Sequence, residues 1–246
     1  MSSSARLFRV LRQGARRFEL WITPDVVAHP PHGFCEALIN PANATLFGTR
    51  LPYFPRGGPV PKPPPPGVAS QWGGMEAGEH MLYPQQVVDG RVTLLGGSGL
   101  RQHLTQLPVG EDNARCAEGD AVFTPAFGDL VPRFKYLVHT VPPFYSNPAW
   151  SSLLHQCYLR ALEEALKRGS LTCVTPLLGA GARGAPVSCA SQVAVEAAFT
   201  WCSEASTDSR EPQVLCLAVL GEEVAQTVID AAKHLDTTQS AEKAPK

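Results

Sequence analysis

From residue 134 onward the chain alternates strand-like and helix-like segments, and this alternation restricts the fold more than any other feature of the sequence. Residues 136–141 (YLVHTV) form an apolar, β-branched run of the kind that fills a central strand. In 151–167 the residues Leu154, Tyr158, Ala161, Leu162 and Ala165 follow the 3.6-residue period, and Gly169 ends the pattern. A strand over 171–178, a helix over 187–202, a strand over 214–220 and a helix over 222–235 complete the series. Such alternation builds parallel βαβ units whose helices cover both sheet faces. The expected fold class is therefore α/β, a three-layer α/β/α sandwich around a mixed, mostly parallel sheet.

The first half is less regular. Residues 7–11 and 18–22 are each strand-like with Gln13-Gly14 between them, which suggests a hairpin. The same stretch carries Arg6, Arg9, Arg12, Arg16 and Arg17 with no acid before Glu19, which is also the composition of a mitochondrial or plastid transit peptide. Residues 34–39 form a short strand that ends in Asn40-Pro41-Ala42-Asn43. Val87-Val88 and 91–95 flank Asp89-Gly90 and read as a tight hairpin, after which Gly96-Gly97-Ser98-Gly99 opens a helix through Leu100, Leu104 and Leu107. A further strand covers 121–124.

Proline breaks the first half in one place. Eight of the 23 prolines fall between Pro52 and Pro66, where missing N–H groups and a fixed φ forbid both helix and ladder pairing. We read 1–236 as one domain carrying an insertion at about 49–93, proline-rich over 52–66, and 237–246 as a disordered tail. At 246 residues the chain is long enough to bury a core without a metal or disulfide staple. Its net charge of −1 argues against a sequence-specific nucleic-acid binder, and no apolar run approaches the ~18 residues of a membrane span. Seven cysteines without a C-x-x-C pair read as reduced thiols of an intracellular, cytoplasmic protein. No metal site, cofactor or serine-nucleophile elbow is visible, and a monomer is expected.

The loop Gly179-Ala180-Gly181-Ala182-Arg183-Gly184 follows a strand and precedes a helix, where backbone N–H groups and the helix dipole suit a phosphate. A tight turn without a ligand explains the same glycines. A dinucleotide site fits poorly, because the acid required about 20 positions on has only Glu222 and Glu223 as candidates, near twice that distance.

Four runs taken together resemble the macrodomain family of ADP-ribose-binding modules. CEALINPANATLFG (35–48) is similar to its strand and Asn-x-x-Asn element, and CAEGDA (116–121) to its Cys-x-x-Gly-x-Ala element. FKYLVHTVPPFY (134–145) is similar to its Lys-Tyr-Val-Ile-His-x-Val strand, and TPLLGAGARGAP (175–186) to its late phosphate loop. The resemblance implies binding of ADP-ribose or an ADP-ribosylated protein. It places Asp25, followed by Val26, where an acid accepts a hydrogen bond from the adenine amino group, although Pro24 stands where the family has glycine. It places Asn43 at the distal ribose, with Asn40 bracing the loop. Gly96, Gly97 and Gly99 would form one diphosphate loop, and Gly179, Ala180, Gly181, Ala182 and Gly184 the other. Arg183 replaces an aromatic that covers the ribose and would stack there or pair with a phosphate. A turn cap for Asp25 and a loop brace for Asn43 stand as the plainer alternatives.

Related hydrolases carry an aspartate just after the first glycine loop, and Arg101 holds roughly that place here. Asp89 in Val88-Asp89-Gly90 superficially matches their Val-Asp-Gly, but it precedes the glycines, and a hairpin turn accounts for it. His139 reads as a core histidine. The catalytic candidates are thus Asn43 and Asp89, for hydrolysis of ADP-ribosyl esters, ADP-ribose 1″-phosphate or O-acetyl-ADP-ribose. A degenerate module acting as a protein-interaction scaffold is the third reading.

Overall fold

A computed structural model describes residues 4–49, 84–204 and 213–242, so the proline-rich stretch 52–66 lies outside the described residues. Strands β1 (Arg6–Arg12), β2 (Arg16–Ile22), β3 (Cys35–Pro41), β4 (Ala121–Pro125), β5 (Phe134–Thr140), β6 (Thr172–Pro176) and β7 (Gln213–Val219) form one sheet in the order β1-β2-β7-β6-β3-β5-β4. The five inner strands are parallel, while β1 and β4 pair antiparallel at the two edges. The helices are α1 (Val88–Thr105), α2 (Trp150–Lys167), α3 (Val187–Ser203) and α4 (Glu222–Glu242). This is the mixed, mostly parallel three-layer sandwich that the alternation demands.

Strand periodicity divides the core. Phe18, Leu20, Ile39, Val138, Leu215 and Leu217 face α2, α3 and α4, while Trp21, Leu38, Leu137, Val174 and Cys216 face α1 and the Val26-Val27 loop. On α2 the buried residues Leu154, Cys157, Tyr158, Ala161, Leu162 and Ala165 make one stripe. It ends in a Schellman cap, with Gly169 N–H donating to the Leu166 carbonyl and Ser170 N–H to that of Ala165. The arginine-rich N-terminus is the hairpin, with β1 paired to β2. Among the described residues no helix is long and apolar enough to cross a membrane.

Glu19 is buried in the α1-facing layer, where Arg17 pairs with one oxygen at 2.7 Å. The other oxygen accepts from Trp21 Nε1 at 2.7 Å and lies 3.1 Å from His32 Nε2 and 3.7 Å from Cys216 Sγ. Glu19, His32 and Cys216 thus cluster as metal ligands do. Arg17 balances the carboxylate charge on one oxygen and the other accepts from Trp21, so the group, with His32 at its exposed end, serves as a polar network.

Three expectations are corrected. Residues 87–95 are not a hairpin, because α1 begins at Val88. Asp89 occupies its first turn, where the dipole favours an acid, and Gly90 is there for close approach: a Cβ on it would lie 2.0 Å from the Pro84 carbonyl oxygen. Gly97, at φ 61, breaks α1 into two segments, so the glycines open only its second segment, the one that carries Leu100 and Leu104, and not the helix as a whole. Helix α4 continues to Glu242, past the start of the expected disordered tail, and the end of the expected insertion is the first turn of α1.

Candidate functional site

Parallel strands deliver their C-terminal ends to one edge of the molecule, and here two adjacent strands send their connections in opposite directions. β3 leads to α1 on one face, while its neighbour β6 leads to α3 on the other. A crevice opens at such a switch point, outside the strand ends. It lies between loop 42–49, which follows β3, and loop 177–186, which follows β6.

Loop 177–186 is shaped as an anion cradle. Gly179 at φ 80 turns the chain as it leaves β6. The Gly184 and Ala185 N–H groups close the loop onto the Gly181 and Gly179 carbonyls, at 3.0 and 3.1 Å. The N–H groups of Ala180, Gly181 and Ala182 have no acceptor among the described residues. Tyr158 anchors the loop base by accepting from Leu178 N–H at 2.8 Å, and the Tyr145 N–H donates to the Arg183 carbonyl at 2.8 Å. The Arg183 guanidinium lies 4.3 Å from the Phe144 ring centroid and donates to the Ala42 carbonyl at 3.4 Å. Arg183 therefore ties the loops after β3, β5 and β6 together and puts a positive charge at the crevice. Neighbouring free amides ahead of the N-terminus of α3 suit a phosphate or diphosphate.

The two asparagines have separate tasks. Asn43 is half-buried, and its Oδ1 accepts from Thr45 Oγ1 at 2.7 Å while Nδ2 has no partner among the described residues. It braces its own loop and retains two N–H donors for a guest. Asn40 is buried at the end of β3, and its Nδ2 donates to Asp89 Oδ1 at 2.9 Å and to His139 Nδ1 at 3.1 Å. Thr49 Oγ1 donates to the other Asp89 oxygen at 2.8 Å. Burial holds the Asp89 carboxyl above the usual carboxylate range, opposed by these hydrogen bonds and by the charge of Arg183.

His139 is a core histidine as expected, with its Nε2 3.0 Å from Thr124 Oγ1. Burial pushes its pKa from 6.5 down to about 4. Between those values the unfolded chain binds the extra proton. The contribution of His139 is whole above pH 6.5 and is lost as pH falls toward about 4. Protonation of Asp89 works the other way, so a variant comparison isolates the histidine. Between pH 7 and 4.5 the protein should lose roughly 2–3 kcal/mol more unfolding free energy than His139→Asn, read by urea denaturation at both pH values.

Asp25 acts first as a turn cap. Its Oδ1 accepts from the Val27 and Ala28 N–H groups at 2.9 and 3.1 Å, and Oδ2 pairs with Arg91 at 2.9 Å. Oδ1 is filled by the two amides, while Oδ2 keeps one lone pair beside Arg91, so a base amino group at Oδ2 would share that oxygen with the guanidinium. The Val26 side chain is buried in the α1-facing core. The contacts that bring Arg91, Thr49 and Phe144 to the site have no sequence signal, because each partner is remote along the chain. Asp89 did have one, the Val-Asp-Gly match.

The Gly96–Gly99 stretch is a break within α1 rather than an open loop. A Cβ on Gly96 would meet Leu100 at 2.5 Å and one on Gly99 would meet Phe127 at 3.1 Å, while Gly97 faces open space. Two of the three expected diphosphate glycines are thus packing positions in α1.

The Macro domain family model matches residues 76–194, a span that includes α1 with Asp89 and most of loop-bearing β6–α3. No curated protein matches the chain in sequence. Among solved structures, the Oceanobacillus iheyensis macrodomain with ADP shares 16% identity at a TM-score of 0.65, with 96% of this chain and 98% of that chain covered. The Trypanosoma brucei macrodomain in complex with ADP-ribose shares 21% at 0.59, covering 90% and 73%. The macro domain of ganglioside induced differentiation associated protein 2 shares 18% at 0.57, covering 87% and 83%. The Macro domain family model thus matches just under half of the chain, across α1, β4, β5, β6 and the start of α3, and the fold over nearly the whole chain is that of the macrodomains.

Proposed function

We propose that the crevice binds ADP-ribose, free or attached to a protein. The observation that carries this reading is the set of amides of Ala180, Gly181 and Ala182 at the switch point, without an acceptor among the described residues, beside the guanidinium of Arg183. The diphosphate sits on those amides and on the first-turn N–H groups of α1, since a helix start always leaves donors free. Asn43 offers its N–H groups to the distal ribose. Two structural relatives hold ADP or ADP-ribose, which supports the ligand class. Calorimetric titration with ADP-ribose should give one site of micromolar affinity, about −8 kcal/mol. Absence of heat and of thermal shift at millimolar ligand would overturn the reading.

The Asp25–Arg91 pair makes a second test. Arg91→Ala frees Asp25 Oδ2 to accept the adenine amino group while the Asp25 turn cap stays intact. ADP-ribose affinity should rise about tenfold, the value of one hydrogen bond to a charged acceptor, while ribose 5-phosphate, which lacks the base, binds unchanged in competition calorimetry.

Hydrolysis of an ADP-ribosyl ester is the second reading, and Asp89 favours it. A buried carboxyl with a raised pKa, held by two donors at the mouth of α1, is suited to take a proton from water and return it. Water attack at the anomeric carbon breaks the bond to the ester oxygen, and Asp89 accepts the proton the water loses.

A further inference from the structure

We propose that His139 is a positioning residue for Asp89: its bare Nδ1 holds the Asn40 amide with the N–H edge turned to the Asp89 carboxylate. The consequence for turnover rests on the acid–base reading of Asp89 above, but the contact itself is testable without turnover.

The sheet register creates the arrangement. Asn40 on β3 and His139 on β5 are paired residues of a parallel ladder, and Thr124 lies two places from the β4 partner of His139. Thr124, His139, Asn40 and Asp89 are all buried, so no bulk solvent substitutes for a missing partner. The hydrogen bonds run in one line: Thr124 Oγ1 to His139 Nε2 at 3.0 Å, His139 Nδ1 to Asn40 Nδ2 at 3.1 Å, and Asn40 Nδ2 to Asp89 Oδ1 at 2.9 Å.

Donor and acceptor capacity then fixes the orientation. An ionised carboxylate only accepts, so the amide must turn Nδ2 toward Asp89. The second hydrogen of that nitrogen reaches His139 Nδ1, which must carry a lone pair, and the ring proton therefore sits on Nε2 and is donated to Thr124 Oγ1. Asn40 Oδ1 is buried and has no partner among the described residues. Among the described residues nothing on the oxygen side holds the amide, and its two N–H contacts set which edge faces Asp89. Burial keeps His139 neutral at ordinary pH, so its acceptor is always present. Besides Asn40, the polar and charged groups around Asp89 are Thr49 and Arg183, and those around His139 are Thr124 and His103. None of these replaces the acceptor on Nδ1.

Two substitutions separate the edges of the ring. Asparagine at 139 keeps an acceptor near the Nδ1 position, whereas glutamine keeps a polar group near Nε2 and loses the Nδ1 acceptor. Each variant gives up one buried hydrogen bond, so a purely structural role would affect both alike. The readout is the Asp89 midpoint from carboxyl ¹³C NMR titration, together with the tautomer of His139 from imidazole ¹⁵N shifts in the unmodified protein. We expect the Nε2–H tautomer, an Asp89 midpoint in His139→Asn near that of the parent, and a midpoint about one pH unit higher in His139→Gln, a tenfold increase in proton affinity. Equal midpoints in the two variants would overturn the proposal. So would the Nδ1–H tautomer in the unmodified protein, which needs neither variant to fold and would place the Asn40 oxygen, not its nitrogen, against the ring.

Discussion

Asp89→Asn should reduce release of ADP-ribose from an ester-linked substrate by about 10²–10⁴-fold, with ADP-ribose affinity within about threefold of the parent. The substitution is nearly isosteric. Its Oδ1 still accepts from Asn40 and its Nδ2 faces Thr49 Oγ1, so the loop after β3 and the first turn of α1 stay in place. What disappears is the proton acceptor that the hydrolytic reading assigns to Asp89. Burial raises the Asp89 pKa, and the rate in the parent should fall on the acid side as the carboxylate is protonated; this limb is absent from whatever activity Asp89→Asn retains. Full turnover in the variant would remove Asp89 from the chemistry and leave a water held by Asn43 as the remaining route.

Gly181→Phe should weaken ADP-ribose binding by at least about 100-fold and leave thermal stability nearly unchanged. A Cβ at Gly181 meets nothing within 4 Å, so the side chain enters open space and the loop keeps its shape. Exposed substitutions of this kind change stability by only about 0.5 kcal/mol. The proposed binding mode needs a ligand to approach the bare backbone of 180–182, and a phenyl ring fills that approach. Gly179→Val is the contrasting case. At φ 80, with Leu154 3.2 Å from a Cβ, it strains the turn itself, and loss of binding there would come with a lowered melting temperature. Retained affinity in Gly181→Phe, measured by calorimetry, would place the diphosphate elsewhere.

The second half of the fold was legible because its elements announce themselves by period. Apolar runs such as VLCLAV in β7 are buried on both faces, and the stripe on α2 follows 3.6 residues per turn. The start of α1 was misread because local chemistry pointed the wrong way: β-branched residues flank an Asp-Gly pair, the pattern of a type I′ hairpin. Long-range packing prevailed. Gly90 is required against the Pro84 carbonyl, and Asp89 bonds to an asparagine 49 positions away. The same error displaced the site. With α1 taken to begin at the glycines, Asp89 lay on the wrong side of them and a turn accounted for it. Once α1 begins at Val88, Asp89 stands in its first turn at the crevice, and the glycines become packing positions and a helix break.

Loop 177–186 was identifiable for a local reason, since glycines between a strand and a helix leave amides free wherever the surrounding chain goes. Asp25 shows the limit of such inference. Its sequence position suggested an acceptor for a base, but Arg91 from α1 holds the second oxygen, and no local pattern encodes that pair. Asn43 and Asn40 differ by only three positions, yet one is half-buried on loop 42–49 and the other is buried at the end of β3 in contact with β5. The distinction follows from where β3 ends, which strand pairing determines.

Titration of ¹⁵N-labelled protein with ADP-ribose, followed by amide NMR, tests the central claim most directly because it reports where the ligand sits. The account predicts saturable shifts at Asn43, Val88, Asp89, Tyr145 and the amides of Ala180, Gly181 and Ala182, with Gly97 and Gly99 unaffected. Shifts confined to Arg12, Arg16 and Phe199, at the opposite ends of the strands, or no shifts at millimolar ligand, would contradict it.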